Sequence, residues 1–445
     1  SSDLRDTAIK IMNEVHENGA YANVALTRQL RKAELDDTDR RFVTELVYGA
    51  VKAGDTLDWI LRRYVNRPLK KIPPMIREIL RLGLYQIFYL DKVPDSAACN
   101  TAVDLAKKYS HPGTVKFVNA VLRTAVREPE RAKFPEGKGH ATEGLALASQ
   151  HPQWLVKRWV KAFGFEETQS LCDFNNGQAL LSVRANTLRA DRDTLLAALK
   201  EAGTEAEPSK WTPEGVIITA HGSLDRLQPL QDGLCQVQDE SSMLVAHVVD
   251  PQPGEFVIDC CSAPGGKTTH LAALMQDKGR ILAGDIYEHK IDRIQENADR
   301  LGISIIETQL LDAREVGQSY PAQADRVLVD APCSGLGVLR RKPDARWNKS
   351  EAEISELPAL QHAIIESAAA AVKPGGVLVY STCTIEPAEN QAIVEAFLAK
   401  HPQFQLEPAG DYLPVKRPEA MVQLYPQRDG TDGFFIARMR RSLEA

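Results

Sequence analysis

The sequence has no run of about 18 or more apolar residues, so we expect no segment of this 445-residue chain to span a membrane. Its first residues, SSDLRDTAIK, are charged and amphipathic and lack the apolar centre of a signal peptide. The seven cysteines include no CxxC pair, which argues against a zinc ribbon or a disulfide framework. We therefore expect a cytoplasmic protein without a bound metal, long enough for two or three domains.

The net charge of −6 argues weakly against a nucleic-acid partner, but the charge is unevenly distributed. Residues 1–128 carry 21 Lys and Arg against 16 Asp and Glu, whereas the remainder carries 33 against 44. A basic N-terminal third on an acidic remainder suits an RNA-binding module attached to an enzyme, although solvated helix faces explain the charges equally well. The basic residues that could line one face are Arg28, Arg31, Lys32, Arg40, Arg41, Lys70 and Lys71.

Apolar residues recur at helical spacing from Leu4 to about Arg127, and Pro73-Pro74 opens a strongly apolar helix. This pattern predicts an all-α bundle over residues 1–128. Residues 129–148 are rich in proline, glycine and charge, which is typical of a linker.

Residues 149–233 mix one helical pattern with short strand patterns and predict a small α+β subdomain. Arg184 and Asn186 stand two residues apart on the first of its strands, so they share one face. That face is either a substrate-facing edge or an ordinary polar surface.

From residue 234 to 445 apolar strands alternate with helices, which predicts an α/β fold with a doubly wound parallel sheet. Ligands of such sheets bind at the carboxyl ends of the strands. Four successive strands end at or beside an aspartate and the fifth ends beside a cysteine. These residues are Asp259, Asp285, Asp312, Asp330 and Cys383.

The turn DCCSAPGGKTT, residues 259–269, joins the first strand to its helix and suits a polar ligand. A P-loop requires glycine where Cys261 stands, and the GxGxxG fingerprint of dinucleotide sites is absent. S-adenosylmethionine has no diphosphate and needs fewer glycines. It also needs an acid at the end of the second strand for its ribose, where Asp285 stands, and Asp312 can accept from the adenine amine.

Two cysteines, Cys333 and Cys383, follow the fourth and fifth strands, and Asp330 stands three residues before the first of them. Methyl acceptors on oxygen or nitrogen need a base, whereas carbon-5 of a pyrimidine becomes nucleophilic only after a thiolate adds to carbon-6. Two thiols and a carboxylate near ring N3 therefore favour pyrimidine C5 methylation. The chemistry alone leaves open which thiol attacks.

The motifs DCCSAPGGKTT, LLDAR, VDAPCSG and YSTCT, in this order, resemble those of the RNA cytosine-5 methyltransferase family. The segments LRDTAIKIMNEV, LRLGLYQIFYLDKVP and VKFVNAVLR resemble the helical domain, similar to the antitermination factor NusB, of the family's bacterial 16S ribosomal RNA branch. The resemblance implies a Rossmann-like methyltransferase domain, S-adenosylmethionine as cofactor and 16S ribosomal RNA as substrate.

By this resemblance Cys383 is the nucleophile, Cys333 serves product release, and Asp330 and Lys267 belong to the active site. The cofactor contacts it implies are Cys261, Ser262, Ala263, Pro264, Gly265, Gly266, Lys267, Asp285, Asp312 and Asp330. The sequence departs from the family pattern at Ser262, where alanine is usual, and before Asp312, where a glycine often stands.

Other interpretations keep part of this prediction. A non-enzymatic RNA-binding assembly factor would not need Cys333, Cys383 and Asp330 together, while a methyltransferase for transfer RNA or DNA would share the chemistry. The segment RRKPDARW, residues 340–347, pairs basic residues with an indole and could hold phosphates and stack on a base. We expect the protein to be a monomer.

Overall fold

The structure, a computed structural model, describes residues 2–444 and divides into two compact units. One, the helical unit, runs to Asn176 and also contains Lys342–Ser350. The other, the sheet unit, contains Gly177–Arg341 and the chain from Glu351 onward.

The helical unit is built from helices that bury one apolar face each. They are α1 (Ser2–Asn18), α2 (Ala22–Lys32), α3 (Asp37–Ala53), α4 (Asp55–Arg62), α5 (Pro74–Tyr89), α6 (Asp95–Tyr109), α7 (Pro112–Arg127), α8 (Ala141–Ser149), α9 (Gln153–Phe163) and α10 (Phe165–Asn175). Local signals set their ends: Asp36 caps α3 by accepting from the backbone N–H of Asp39 at 2.8 Å, and Pro74 opens α5. Short 3-10 turns lie at Leu69–Lys71, Pro129–Ala132 and Pro343–Arg346. The predicted all-α architecture of this part is confirmed.

The chain between residues 129 and 148 is more ordered than the linker expected there. It contains a 3-10 turn and most of α8, whose Leu145 and Ala146 are buried. Proline and glycine are concentrated in its first half. The apolar run that begins at Leu145 is too short to show a helical periodicity in the sequence. The compact helical unit accordingly extends to Asn176.

A small antiparallel sheet begins the sheet unit, with strand order β2-β3-β1-β4. Its elements are β1 (Leu181–Ala185), α11 (Arg192–Glu201), β2 (Glu205–Pro208), β3 (Gly215–Ala220), α12 (Gln228–Gln231) and β4 (Cys235–Val237). Val183, Val216 and Leu195 are buried between this sheet and α11. The predicted small α+β subdomain is confirmed.

The large sheet has the strand order β10-β12-β9-β8-β5-β6-β7, with β11 paired to β12. Its strands are β5 (Phe256–Asp259), β6 (Arg280–Asp285), β7 (Ile306–Leu310), β8 (Ala324–Asp330), β9 (Val372–Thr382), β10 (Phe404–Glu407), β11 (Val422–Leu424) and β12 (Phe434–Arg441). The helices among them are α13 (Glu240–Val249), α14 (Gly266–Leu274), α15 (Glu288–Leu301), α16 (Val316–Ser319), α17 (Glu351–Ala371), α18 (Gln391–Lys400) and α19 (Pro426–Asp429). The remaining 3-10 turns of the unit are Leu224–Arg226, Ala313–Glu315, Pro387–Glu389 and Ala409–Tyr412.

Strands β5 to β9 are parallel to one another. Strands β5, β6, β8 and β9 are largely buried, which explains their nearly continuous apolar sequences, whereas β7 lies at the edge of the sheet and is partly exposed. The doubly wound α/β fold is therefore confirmed. Beyond β9 the sheet becomes mixed, because β12 enters antiparallel to β9, with Ala437 opposite Tyr380. Since neighbouring strands run in register, their carboxyl ends form one rim.

Among the described helices, none is both long enough and apolar enough to cross a membrane.

Candidate active site

The two cysteines of the predicted site meet at the rim. Cys333 lies in the loop after β8 and Cys383 directly follows β9, and these neighbouring strands pair Asp330 with Ser381. Their sulfur atoms are 3.4 Å apart, neither cysteine forms a disulfide bond, and both residues are half-buried. The hydrogen bond with Cys383, together with burial, holds the pKa of the Cys333 thiol well above its usual range.

Asp330 and Lys267 form an ion pair beside the cysteines, with 2.8 Å between Lys267 Nζ and Asp330 Oδ2. The Ser381 hydroxyl donates to the other carboxylate oxygen at 2.9 Å. Burial alone would lower the pKa of Lys267, but the charges of Asp330 and of a Cys383 thiolate outweigh it and raise that pKa. An ammonium group therefore pairs with the Asp330 carboxylate and interacts electrostatically with the sulfur of Cys383.

A buried glutamate that the sequence analysis missed joins the two cysteine loops. Glu389 accepts from the backbone N–H of Ser334 at 2.8 Å and from the Ser334 hydroxyl at 2.6 Å. The Thr384 hydroxyl donates to it at 3.4 Å, and the Gln361 amide donates at 3.1 Å. Because Ser334 follows Cys333 and Thr384 follows Cys383, one fully buried carboxylate sets the spacing of both loops. In the sequence Glu389 looks like an ordinary acid near a helix start, so no local pattern distinguishes it.

The turn after β5 has the shape of a cradle. Gly265 adopts φ +102°, and a Cβ there would come within 3.3 Å of Ile294 Cα, so glycine is required on two grounds. The Ser262 hydroxyl donates to the Asp259 carbonyl at 2.7 Å, and the Asn297 amide donates to the Pro264 carbonyl at 2.7 Å. The predicted cofactor residues that lie in this turn and at the start of α14 are Cys261, Ser262, Ala263, Pro264, Gly265, Gly266 and Lys267.

Asp259, at the end of β5, is buried beneath this turn. It accepts from the Thr268 hydroxyl at 2.7 Å, and its other carboxylate oxygen has no hydrogen-bond partner among the described residues. Burial raises the pKa of Asp259 to about 6.

Asp285 ends β6 with its carboxylate only loosely engaged. It accepts from the backbone N–H groups of Ala263 at 3.4 Å and Tyr287 at 3.2 Å, which leaves acceptor capacity for hydroxyl groups. Ile286 follows it and Leu310 is its partner on β7, and their side chains are 54% and 59% exposed. Two exposed apolar side chains beside a free acceptor form a platform for a flat ring carrying a ribose.

Asp312 stands apart from this arrangement. It caps the 3-10 turn after β7 and binds Arg314 through both carboxylate oxygens, the shortest contact being 2.8 Å to the Arg314 guanidinium. That hydrogen bond holds the pKa of Asp312 below its usual range. A contact between Asp312 and an adenine amine would compete with this exposed ion pair.

The cradle fits S-adenosylmethionine on the observations above: a glycine turn that excludes a Cβ, an acid with free acceptor capacity and an apolar platform beside it. The turn contains no anion-binding row of glycines, so it does not favour a diphosphate. Asp285 would hold the ribose hydroxyls, and Ile286 with Leu310 would cover the base.

Arg184 and Asn186 do not form the substrate-facing edge considered from the sequence, and that interpretation is corrected. Both are at least 98% buried. Arg184 donates to the Gly266 carbonyl at 2.7 Å, the Thr269 hydroxyl at 3.0 Å and the Gln238 amide oxygen at 2.6 Å. Burial lowers the pKa of Arg184 to about 9. Through Arg184 the small sheet therefore supports the turn after β5.

The expectation that residues 340–347 hold phosphates is wrong for the arginines of this segment, because they are already paired. Arg341 pairs with Asp239 and Asp432, each at 2.6 Å, and Arg340 lies 3.9 Å from Asp432. Arg346 is fully buried in the helical unit, where it donates to the Gln150 carbonyl at 3.1 Å. The sequence predicts charge but not these acidic and carbonyl partners, which lie far away along the chain.

Within the described residues one group of side chains has metal-ligand chemistry: Glu214, His247 and His270. Glu214 Oε1 lies 2.5 Å from His247 Nε2 and 3.0 Å from His270 Nε2. Burial lowers the pKa of His270 to about 3, so its ring is neutral at pH 7. Two hydrogen bonds from imidazole N–H groups to one carboxylate account for this geometry.

Comparisons with known proteins agree along the whole chain. Three family descriptions match: "NusB family" over residues 2–127, "Methyltr_RsmF/B-like, ferredoxin-like domain" over 151–225, and "16S rRNA methyltransferase RsmB/F" over 246–440. "Probable ribosomal RNA small subunit methyltransferase B" of Bacillus subtilis is 40% identical, over 99% of both chains. "Ribosomal RNA small subunit methyltransferase B" of Pseudomonas syringae pv. tomato is 33% identical, over 98% of this chain and 96% of its own.

Two solved structures extend the likeness to the fold. The crystal structure of PH0851 superimposes with a TM-score of 0.82 and 30% identity, over 98% of this chain and 97% of its own. The structure of NSun6 from Pyrococcus horikoshii with SFG gives 0.59 and 25%, over 65% of this chain and 98% of its own.

Proposed function

Because the chain belongs to the RsmB/F family of 16S rRNA methyltransferases, an RNA methyltransferase family, we propose that it methylates carbon-5 of a cytosine in 16S ribosomal RNA. The observation that carries the proposal is the meeting of Cys333 and Cys383 at 3.4 Å beside the Lys267–Asp330 pair. S-adenosylmethionine is the proposed cofactor and supplies an electrophilic methyl group when bound. The SFG ligand of NSun6 supports a cofactor of this type.

We assign the attack on carbon-6 to Cys383. A thiolate is stabilised by a neighbouring cation and disfavoured by a neighbouring anion. Lys267 interacts electrostatically with the sulfur of Cys383, whereas the pKa of Cys333 is raised by its hydrogen bond with Cys383, by burial and by the nearby carboxylate of Glu389. This asymmetry supports Cys383 as the thiolate and Cys333 as the thiol.

The addition places negative charge on the ring at N3, and the Lys267–Asp330 pair is the proposed source of the compensating proton. Lys267 donates to Asp330 at 2.8 Å, so the pair holds an ammonium proton at the edge of the site. A positioned acid or base contributes about 10²- to 10⁴-fold in rate.

Release reverses the addition. The C5 proton is lost to solvent, the bond between carbon-6 and Cys383 breaks with its electron pair returning to the sulfur, and the N3 proton returns to the Lys267–Asp330 pair. The Cys333 thiol, 3.4 Å away, can donate a hydrogen bond to the departing thiolate. This role needs a protonated Cys333, which agrees with its raised pKa.

The helical unit is the proposed RNA-binding part. Its candidate basic residues are exposed, although Arg28 pairs with Glu14. The exposed candidates with no carboxylate within 4 Å among the described residues are Arg31, Lys32, Arg40, Arg41, Lys70 and Lys71.

The proposal is tested by bisulfite sequencing of 16S ribosomal RNA after incubation with the full chain and S-adenosylmethionine, using RNA from cells that lack the gene. One newly protected cytosine is the expected result. Methylation of transfer RNA alone would show that the substrate is not 16S ribosomal RNA. Methyl groups found only on nitrogen or oxygen would overturn the cysteine mechanism.

A further inference from the structure

A cavity in the helical unit gathers three of the protein's five tryptophans. Trp59 of α4, Trp154 of α9 and Trp347 line a space of about 340 Å³, which we name the indole pocket. All three side chains are half-buried, whereas Trp159, also on α9, is 1% exposed. The pocket is therefore separate from the apolar core that Trp159 helps to form.

Two of the three indoles, those of Trp347 and Trp59, are held in place by contacts with other residues. The Trp347 N–H donates to the Lys52 carbonyl at 2.9 Å, and a Cβ at Gly54 would come within 2.2 Å of Trp347 Nε1. Glycine at position 54 thus permits the close approach of the ring. Trp59 packs edge-on against Phe134, with 5.4 Å between ring centroids. Rigid aromatic side chains bind with little loss of conformational entropy.

Charged and polar groups line the same pocket. Neither Arg62 nor Lys349 forms an ion pair within 4 Å among the described residues, although Arg62 interacts electrostatically with Asp55 on the same lining. Glu143, also on the lining, lies 3.6 Å from His140. The Thr56 hydroxyl is 1% exposed and has no hydrogen-bond partner in the described chain. Indoles that can stack, unpaired cations and an unsatisfied buried hydroxyl are complementary to a nucleotide.

We propose that the indole pocket binds one unpaired nucleobase of the RNA substrate, by stacking on indole and by contacts of Arg62 and Lys349 with the flanking phosphates. This inference rests on the proposed RNA substrate but concerns a second site, which lies within the helical unit. The volume falls within the range of about 300–1,000 Å³ found for pockets of small ligands. Stacking on aromatic side chains is the usual way in which proteins hold unstacked bases, and it tolerates any base sequence.

The test uses the full chain and an unstructured oligoribonucleotide, with its duplex form as competitor. We expect quenching of tryptophan fluorescence on binding. Trp154→Leu should weaken binding about 10-fold or more, while Trp154→Phe, which keeps an aromatic face, stays within about 3-fold of the wild type. Trp211→Leu, in the sheet unit, is the matched control and should bind normally.

Unchanged affinity of a folded Trp154→Leu variant would overturn the proposal, and so would equal competition by the duplex, which offers phosphates but no unpaired base. The proposal would also be overturned if an apolar peptide displaced the RNA while the Trp154→Leu variant bound the RNA with no loss of affinity. The proposed function fails differently: RNA that binds with Trp154-dependent quenching but is never methylated at a cytosine would reject the chemistry and retain the pocket.

Discussion

Ser334 and Thr384, which directly follow the two cysteines, share a hydrogen bond of 2.8 Å between their side-chain oxygens. Both hydroxyl groups also contact the carboxylate of Glu389. The two loops that carry the cysteines are thus held by one hydrogen-bond network, and the sulfur–sulfur distance depends on it.

Glu389→Gln should lower kcat about 10- to 100-fold with little change in KM. The amide presents a donor where Ser334 N–H or O–H needs an acceptor, and lost hydrogen bonds to a charged group are worth about 1.5–3 kcal/mol. Steady-state kinetics on 16S ribosomal RNA provide the measurement, and exposed Glu395→Gln is the control. A folded Glu389→Gln variant with normal kcat would show that the network does not position the thiols.

Cys383→Ala should form no covalent adduct with RNA that contains 5-fluorocytosine, because the attacking sulfur is gone. Cys333→Ala should accumulate an enzyme–RNA adduct, since addition proceeds while release is slowed. Denaturing gels measure both, with Cys99→Ala in the helical unit as control. An adduct in Cys383→Ala, or clean turnover by Cys333→Ala, would reverse or remove the assigned roles.

Arg184→Met should weaken binding of S-adenosylmethionine and destabilise the protein by about 2–3 kcal/mol. Methionine fills much of the volume but leaves the Gly266 carbonyl and the Thr269 hydroxyl without their buried donor. Calorimetry and urea unfolding check the two effects. Arg189→Met, at an exposed arginine of the same subdomain, should have a smaller effect on both cofactor binding and the free energy of unfolding.

The free energy of unfolding should depend on pH through Asp259. Its pKa of about 6 in the fold lies above the value of about 3.9 in an unfolded chain, so the native state keeps the proton longer. Between pH 4 and 6 the unfolded chain binds fewer protons, and this residue's contribution to stability falls as pH rises, by up to about 1.4 kcal/mol per unit. Urea unfolding of the wild type minus Asp259→Asn should show this fall, and a difference that is constant with pH would contradict it.

The sequence predicts those parts of the fold that have a local signal. Apolar strands alternating with helices identify the parallel sheet, and helix α15 (Glu288–Leu301) is one of the elements that this alternation predicts. Strand β12 is missed because its place depends on pairing with β9, more than 50 residues earlier. Nothing near Phe434–Arg441 indicates that partner.

The residues of the candidate site likewise include some with a local signal in the sequence and some without one. Strand ends are local features, so Asp285, Asp330 and Cys383 can be expected at one rim. Glu389 and Arg184 act on atoms 55 and 82 residues away, and their burial appears only once the chain is folded. A buried charge with distant partners looks in sequence like a surface charge.

The helical unit is assembled from two stretches of chain, residues up to Asn176 and Lys342–Ser350. Ribosomes deliver the chain from its N-terminus, so residues 177–341 are synthesised before Asp344 can accept from the backbone N–H of Ala22 at 3.1 Å, and before Arg346 reaches the Gln150 carbonyl. A nascent chain that stops before residue 342 lacks both contacts. Final packing of the N-terminal helices therefore waits for most of the protein to be translated, and a gene fragment that ends at Asn176 encodes an incomplete unit.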